Sequence, residues 1–209
     1  MELSKLKLEK PLFYNCNIGI RFEIGPESIS LWKDSDHKYI NSKYFEEALT
    51  RALSIFHTVF DKDDSISITY QIYSDGRRKI RKGNYLFKQI DNLKSKKIEF
   101  SDHRDIYVDT IGFKRECWRR VTISNLTASD VKVGNILDAM INTDFGIRQP
   151  SLPGECFFIN HDKGIVLNLY DDRGMDVIAG NKKALNALYK KHNSWILDYD
   201  REKIDAVFK

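Results

Sequence analysis

Two short polar turns tie three apolar runs together near the C-terminus, and this pattern leaves the chain little choice of architecture. Residues 156–160 (Cys-Phe-Phe-Ile-Asn) and 164–170 (Gly-Ile-Val-Leu-Asn-Leu-Tyr) flank a turn at His161, Asp162 and Lys163. A second turn through Asp171, Asp172 and Arg173 ends at Gly174 and opens a third run, 175–179 (Met-Asp-Val-Ile-Ala). Apolar runs of strand length separated in this way are hairpins, so the segment predicts a three-strand antiparallel meander. The pattern specifies architecture and carries no chemistry.

The rest of the chain supplies partners for that meander. Ile18, Ile20, Phe22 and Ile24 alternate with other residues, as do Ile66, Ile68, Tyr70 and Ile72, which is the period of strands with one buried face. Phe45, Leu49, Ala52, Phe56, Val59 and Phe60 recur at helical steps behind a cap at Asn41 or Ser42. Residues 84–93 read as a helix, 98–105 as a loop or short edge strand, and 118–124 as a strand. Ser129 or Asp130 is placed to cap a helix with Val133, Ile136, Leu137, Met140 and Ile141 on one face. Leu185, Leu188 and Tyr189 mark a further helix, and Asp200 is placed to cap a last one carrying Ile204, Val207 and Phe208. The order predicts one α+β domain over 1–209, with a mostly antiparallel sheet and helices packed on one face.

Composition narrows the function classes. In 209 residues, 42% are apolar and 12% aromatic, enough to build a core and too much for a disordered chain. Cys16, Cys117 and Cys156 are odd in number and lack paired spacing, which suits reduced, packed thiols. The start alternates charge with leucine and lacks the apolar core of a signal peptide, and no run approaches ~18 apolar residues, so the cytoplasm is expected and a membrane is not. The net charge of +4 is uneven. Residues 76–98 hold nine basic side chains against Asp91 alone, leaving the remainder slightly acidic.

Asp144-Phe-Gly-Ile-Arg148, Phe157-Phe-Ile-Asn160, the stretch Tyr-Asp-Asp-Arg-Gly-Met-Asp-Val-Ile-Ala from Tyr170, and Trp-Ile-Leu-Asp-Tyr-Asp from Trp195 together resemble the bacterial family catalogued as domain of unknown function 3885. The resemblance covers about 127–209. It implies fold kinship and a bacterial origin, and it brings no catalytic residues. Some small bacterial proteins of this general kind stand beside polymorphic toxins as their immunity partners, which makes a toxin one partner the resemblance implies.

Candidate sites are few. Asp171, Asp172 and Arg173 could hold a cation or activate water if a third ligand came from elsewhere, but Asp and Gly also favour tight turns for local reasons. Asp198 and Asp200 read as a polar turn and a helix cap. His37, His57, His103, His161 and His192 form no metal-binding pattern, and His57 reads as a packing residue on the first helix. Phosphate loops and nucleophile elbows are absent from the sequence, so neither cofactor nor metal is expected. In the basic run, Arg77, Arg78, Arg81 and Lys82 could meet phosphates beside Tyr85 and Phe87 as stacking faces, or steer an acidic protein. The sequence thus predicts a macromolecule-binding protein without catalytic activity, its partner first of all a protein and in the concrete case a toxin that it occludes. The contact residues are Arg77, Arg78, Arg81 and Lys82, with Asp171, Asp172 and Arg173 as a second patch. Nucleic acid bound by 76–98 is the alternative, and a hydrolase with an aspartate-based site the second alternative.

Overall fold

A computed structural model describes residue 8 and residues 10–73, 79–81, 83–104 and 117–209. Seven strands form one sheet: β1 (Gly19–Glu23), β2 (Ser65–Tyr73), β3 (Lys97–Arg104), β4 (Cys117–Thr127), β5 (Glu155–Asn160), β6 (Ile165–Leu169) and β7 (Gly174–Ala179). Their order across the sheet is β1-β7-β6-β5-β2-β4-β3, every neighbouring pair antiparallel. The expected meander is β5-β6-β7. It joins the remainder through β5 and β2, where Ile68 faces Phe158.

Alternation decides what each face carries. Ile20, Phe22, Ile68, Tyr70, Phe158 and Leu167 are fully buried in one core on the first face. That core is closed by α1 (Ser42–Val59), α2 (Val133–Ile141) and α3 (Asn186–Lys191). On α1 the ring of Phe56 stacks on Phe60, with centroids 4.3 Å apart, and meets Phe158 edge-on. The last helix, α4 (Asp198–Phe208), adds Ile204 and Phe208 to the same core. Just before it, the Leu197 amide donates to the Arg21 carbonyl at 2.9 Å and Ile196 bridges to Phe22. This covers the otherwise open edge of β1.

Several expected boundaries move. Residues 84–93 hold no α-helix but a short 3-10 turn, Tyr85–Gln89, capped by Asn84. Residues 97–104 are an edge strand. Asp130 does not cap α2; its Oδ2 accepts from the Thr127 amide and hydroxyl and from the Lys96 ammonium, fastening the preceding turn. Asp200 is no cap either, since α4 begins two residues earlier and Asp200 is buried inside its first turn. His57, read as a packing residue, is exposed. Cys156 is a buried free thiol and Cys16 a half-buried one; burial pushes the Cys156 thiol up, away from reactivity.

Among the described residues the buried histidine is His192. Its ring stacks on Trp195 at 4.7 Å, meets Phe22 edge-on, and its Nε2 lies 3.0 Å from Thr58 Oγ1. Burial, with the nearby Lys191 ammonium, pushes its pKa down. Between the unfolded value of about 6.5 and the lower folded one, the unfolded chain binds more protons, so stability falls as pH drops through that window. Urea midpoints should therefore decline between about pH 7 and pH 5, and His192→Gln should flatten that decline.

Candidate functional site

The alternation that buries Ile20 and Phe22 turns Arg21 to the opposite face, where β1 and β7 set it directly across from Asp176. Arg21 Nε lies 3.3 Å from Asp176 Oδ1 and donates to the Tyr170 phenol oxygen at 3.0 Å. Its NH1 reaches Asp200 Oδ2 at 3.1 Å and the Tyr14 phenol oxygen at 3.0 Å. Tyr14 donates to Asp200 Oδ1 at 2.9 Å, Tyr170 donates to Asp176 Oδ1 at 3.1 Å, and the Phe13 amide donates to Asp176 Oδ2 at 2.9 Å. One guanidinium thus joins the 3-10 turn Leu12–Asn15, β1, the start of the β6–β7 turn, β7 and α4. Two of the segments that carry the family resemblance meet at it, Tyr170 and Asp176 from one and Asp200 from the other.

Burial sets the electrostatics. The Arg21 side chain is 14% exposed and that of Asp176 not at all. Burial pushes the Asp176 carboxyl up, while the Phe13 amide, Arg21 and Tyr170 oppose it. Burial opposes the charge on Arg21, but Tyr170, Asp176 and Asp200 outweigh it and raise its pKa. Burial also pushes the Tyr170 phenol up, so it stays a proton donor. A Cβ on Gly174 would run into the Tyr170 ring, so this glycine permits close approach rather than a positive φ. The positive φ belongs to Gly164, at +63° in the preceding turn. A cavity of about 190 Å³ opens beside the cluster, lined by Lys10, Pro11, Arg21, Tyr170 and Asp171.

Tyr14, within the cluster, and Tyr199, next to Asp200 on α4, have large exposed faces, 47% and 86%. The Lys203 ammonium sits 5.2 Å from the Tyr14 ring centroid. Arg21 itself stands 5.0 Å from the same centroid.

The expected second patch adjoins this cluster and divides. Asp171 accepts from the Arg173 amide at 2.8 Å and pairs with its guanidinium, an exposed local fastening of the turn. Asp172 is buried and accepts from the Tyr44 hydroxyl at 2.9 Å, so it is not a surface contact residue; burial pushes its carboxyl up. The third carboxylate that a cation would need is Asp144, whose oxygen comes within 4.8 Å of those of Asp171 and Asp172. Two of these three carboxylates already have protein partners.

Of the basic run, Arg77, Arg78 and Lys82 lie outside the described residues, and Arg81 is exposed. Lys96 pairs with Asp130 and Lys97 with Glu99. Phe87 is buried and Tyr85 half-buried against the core, so these rings are not offered as stacking faces. The register places the end of β2, from which the run departs, at the same end of the sheet as the β6–β7 turn. The residues missed from sequence are Tyr14, Arg21, Asp176 and Asp200. For Arg21 and Asp176 the signal is charge at alternate positions of apolar strands, legible only once the facing strand is known.

The family described as Domain of unknown function (DUF3885) matches residues 2–200, a wider span than the C-terminal segment that first suggested it. The "Uncharacterized protein YnaE" of Bacillus subtilis (strain 168) is 28% identical over 211 residues, which cover 94% of this chain and 93% of that protein. No solved structure matches the chain.

Removing Arg21 leaves two buried carboxylates without their counter-charge, and breaking a buried pair in this way costs about 3–5 kcal/mol. Arg21→Met should lose stability on that scale in urea unfolding, and adding Asp176→Asn should restore part of it.

Proposed function

We propose that this chain, which belongs to the family of the domain of unknown function DUF3885, binds another macromolecule in the cytoplasm without catalysing a reaction, and that its partner is a protein. The observation that carries the reading is the pair of exposed tyrosines around a rigidly held arginine. Tyrosine and arginine dominate the energetically important centres of protein interfaces, because they add large contact area at small entropic cost once held in place. Tyr14 is held by Asp200 and Arg21, and Tyr199 projects from the adjacent position on α4. Arg173 and, from the run that leaves the same end of the sheet, Arg77, Arg78, Arg81 and Lys82 would add electrostatic steering. Among the described residues no helix is long and apolar enough to cross a membrane.

The concrete form of this reading is an immunity factor that covers a cognate toxin, with occlusion as its mechanism. A rigid surface suits occlusion because little ordering entropy is lost on binding. Neither a cofactor nor a metal takes part in it.

Tagged protein drawn from its native cells after nuclease treatment should retain one stoichiometric protein partner. Tyr199→Ala should weaken that complex about tenfold or more without lowering the melting temperature, and charge reversal at Arg77 and Arg81 should weaken it with greater effect at low salt. Recovery of nucleic acid alone, lost on nuclease treatment and with an affinity falling steeply in salt, would overturn the reading in favour of the basic segment as a nucleic-acid site.

A further inference from the structure

A second cavity, of about 310 Å³, lies beside the covered edge of β1, lined by Glu23, Glu27, Ser28, Arg51, Ser194 and Trp195. Its walls come from the end of β1, the turn closed by the Ile29 amide on the Pro26 carbonyl, the middle of α1, and the 3-10 turn Asn193–Trp195 before α4. Arg51 is held firmly there. Its Nε donates to Glu47 Oε1 at 3.0 Å, and its guanidinium carbon stands 5.4 Å from the Trp195 ring centroid, while His192 stacks on the same ring. The Arg51 side chain is only 16% exposed.

Among the described residues, the terminal nitrogens of Arg51 have no acceptor, and the carboxylates of Glu23 and Glu27 have no donor. Nor does either carboxylate form an ion pair with Arg51, although the three groups share one cavity. Burial and the neighbouring Glu27 raise the Glu23 carboxyl while Arg51 lowers it, as expected for opposite charges that sense each other across a gap. A simple anion placed here would meet two carboxylates, and a simple cation would meet the guanidinium. A molecule bearing both charges on neighbouring atoms leaves neither set facing its like. The Trp195 ring already has His192 stacked on it and the Arg51 guanidinium over it, which leaves the polar groups to do the recognising. The volume is at the lower end of the roughly 300–1,000 Å³ of small-molecule pockets, which suits a compact ligand.

We propose that this cavity binds a small zwitterion of the α-amino acid class, its carboxylate on the Arg51 terminal nitrogens and the Ser28 and Ser194 hydroxyls, its ammonium on Glu23 and Glu27. The site is separate from the Tyr14 and Tyr199 surface and does not rest on the protein-binding reading.

The test uses the full chain and each encoded L-α-amino acid in turn at millimolar concentration, read by the melting temperature and by the Trp195 indole N–H resonance. At least one amino acid should raise the melting temperature by roughly 3–6 °C near saturation and move that resonance. Its amide and its N-acetyl form, each lacking one charge, should bind at least tenfold more weakly. Glu23→Gln and Arg51→Gln should show the same loss; should Arg51→Gln loosen the fold, the blocked ligands on the unaltered protein still decide. If no amino acid shifts either signal, if the blocked forms bind equally well, or if the Trp195 resonance stays still while another site responds, the proposal fails.

Discussion

A guanidinium taken largely out of water must find its counter-charges, and the way Arg21 finds them holds the two ends of the chain against the meander. Desolvating a charge is expensive, and the cost is offset only where the partners are close and all of their remaining hydrogen-bonding capacity is used. Asp176 meets that condition through Arg21, Tyr170 and the Phe13 amide, and Asp200 through Arg21 and Tyr14. The N-terminal turn, β1, β7 and α4 are therefore set relative to one another by electrostatics as well as by packing. Gly174 belongs to the same constraint, because a larger residue would displace the Tyr170 ring that completes it.

The opposite sheet face makes this arrangement possible. The first face is apolar and closed by helices, but the second carries a polar row through the central strands. Arg120 donates to Gln71, which donates to Glu155, and the Leu8 carbonyl accepts from both Gln71 and Arg120. That row needs specific partners, while beside it Phe157, Val166 and Ile178 pack against Leu12 in a second, smaller apolar cluster. Part of this face is covered by Leu8 and residues 10–16, and at the β1 border this cover carries the exposed Tyr14. A rigid border with aromatic faces is suited to contact with another protein, and the cavity at Arg51, by the end of β1, offers a separate polar recess.

How much of this was legible depends on whether the signal is local. The meander, α1 and β2 were readable because period and turn chemistry are properties of neighbouring residues. The 84–93 segment was misread because its apolar residues, Leu86, Phe87 and Ile90, reach the core from a short 3-10 turn and the bridge that follows, so their burial carries no helical meaning. Asp200 had the features of a cap, and only the approach of Arg21 from a strand 179 residues away in sequence shows its use. His57, expected to pack, is exposed, while His192, whose environment was not legible in the sequence, is buried; a single residue's burial depends on what packs over it.

The sequence alone determined the α+β class, the antiparallel meander and the position of the longest helix, because hydrophobic periodicity and glycine-bearing turns act over a few residues. It also determined which residues carry charge. Tertiary structure decided which of those charges meet. Arg21 faces Asp176 only because β1 pairs with β7 across the whole length of the chain, and Asp144 joins Asp171 and Asp172 only because the loop before β5 returns to the same end of the sheet. Strand order is a non-local property that no short-range pattern encodes, and both the tyrosine-rimmed cluster and the cavity at Arg51 arise from it.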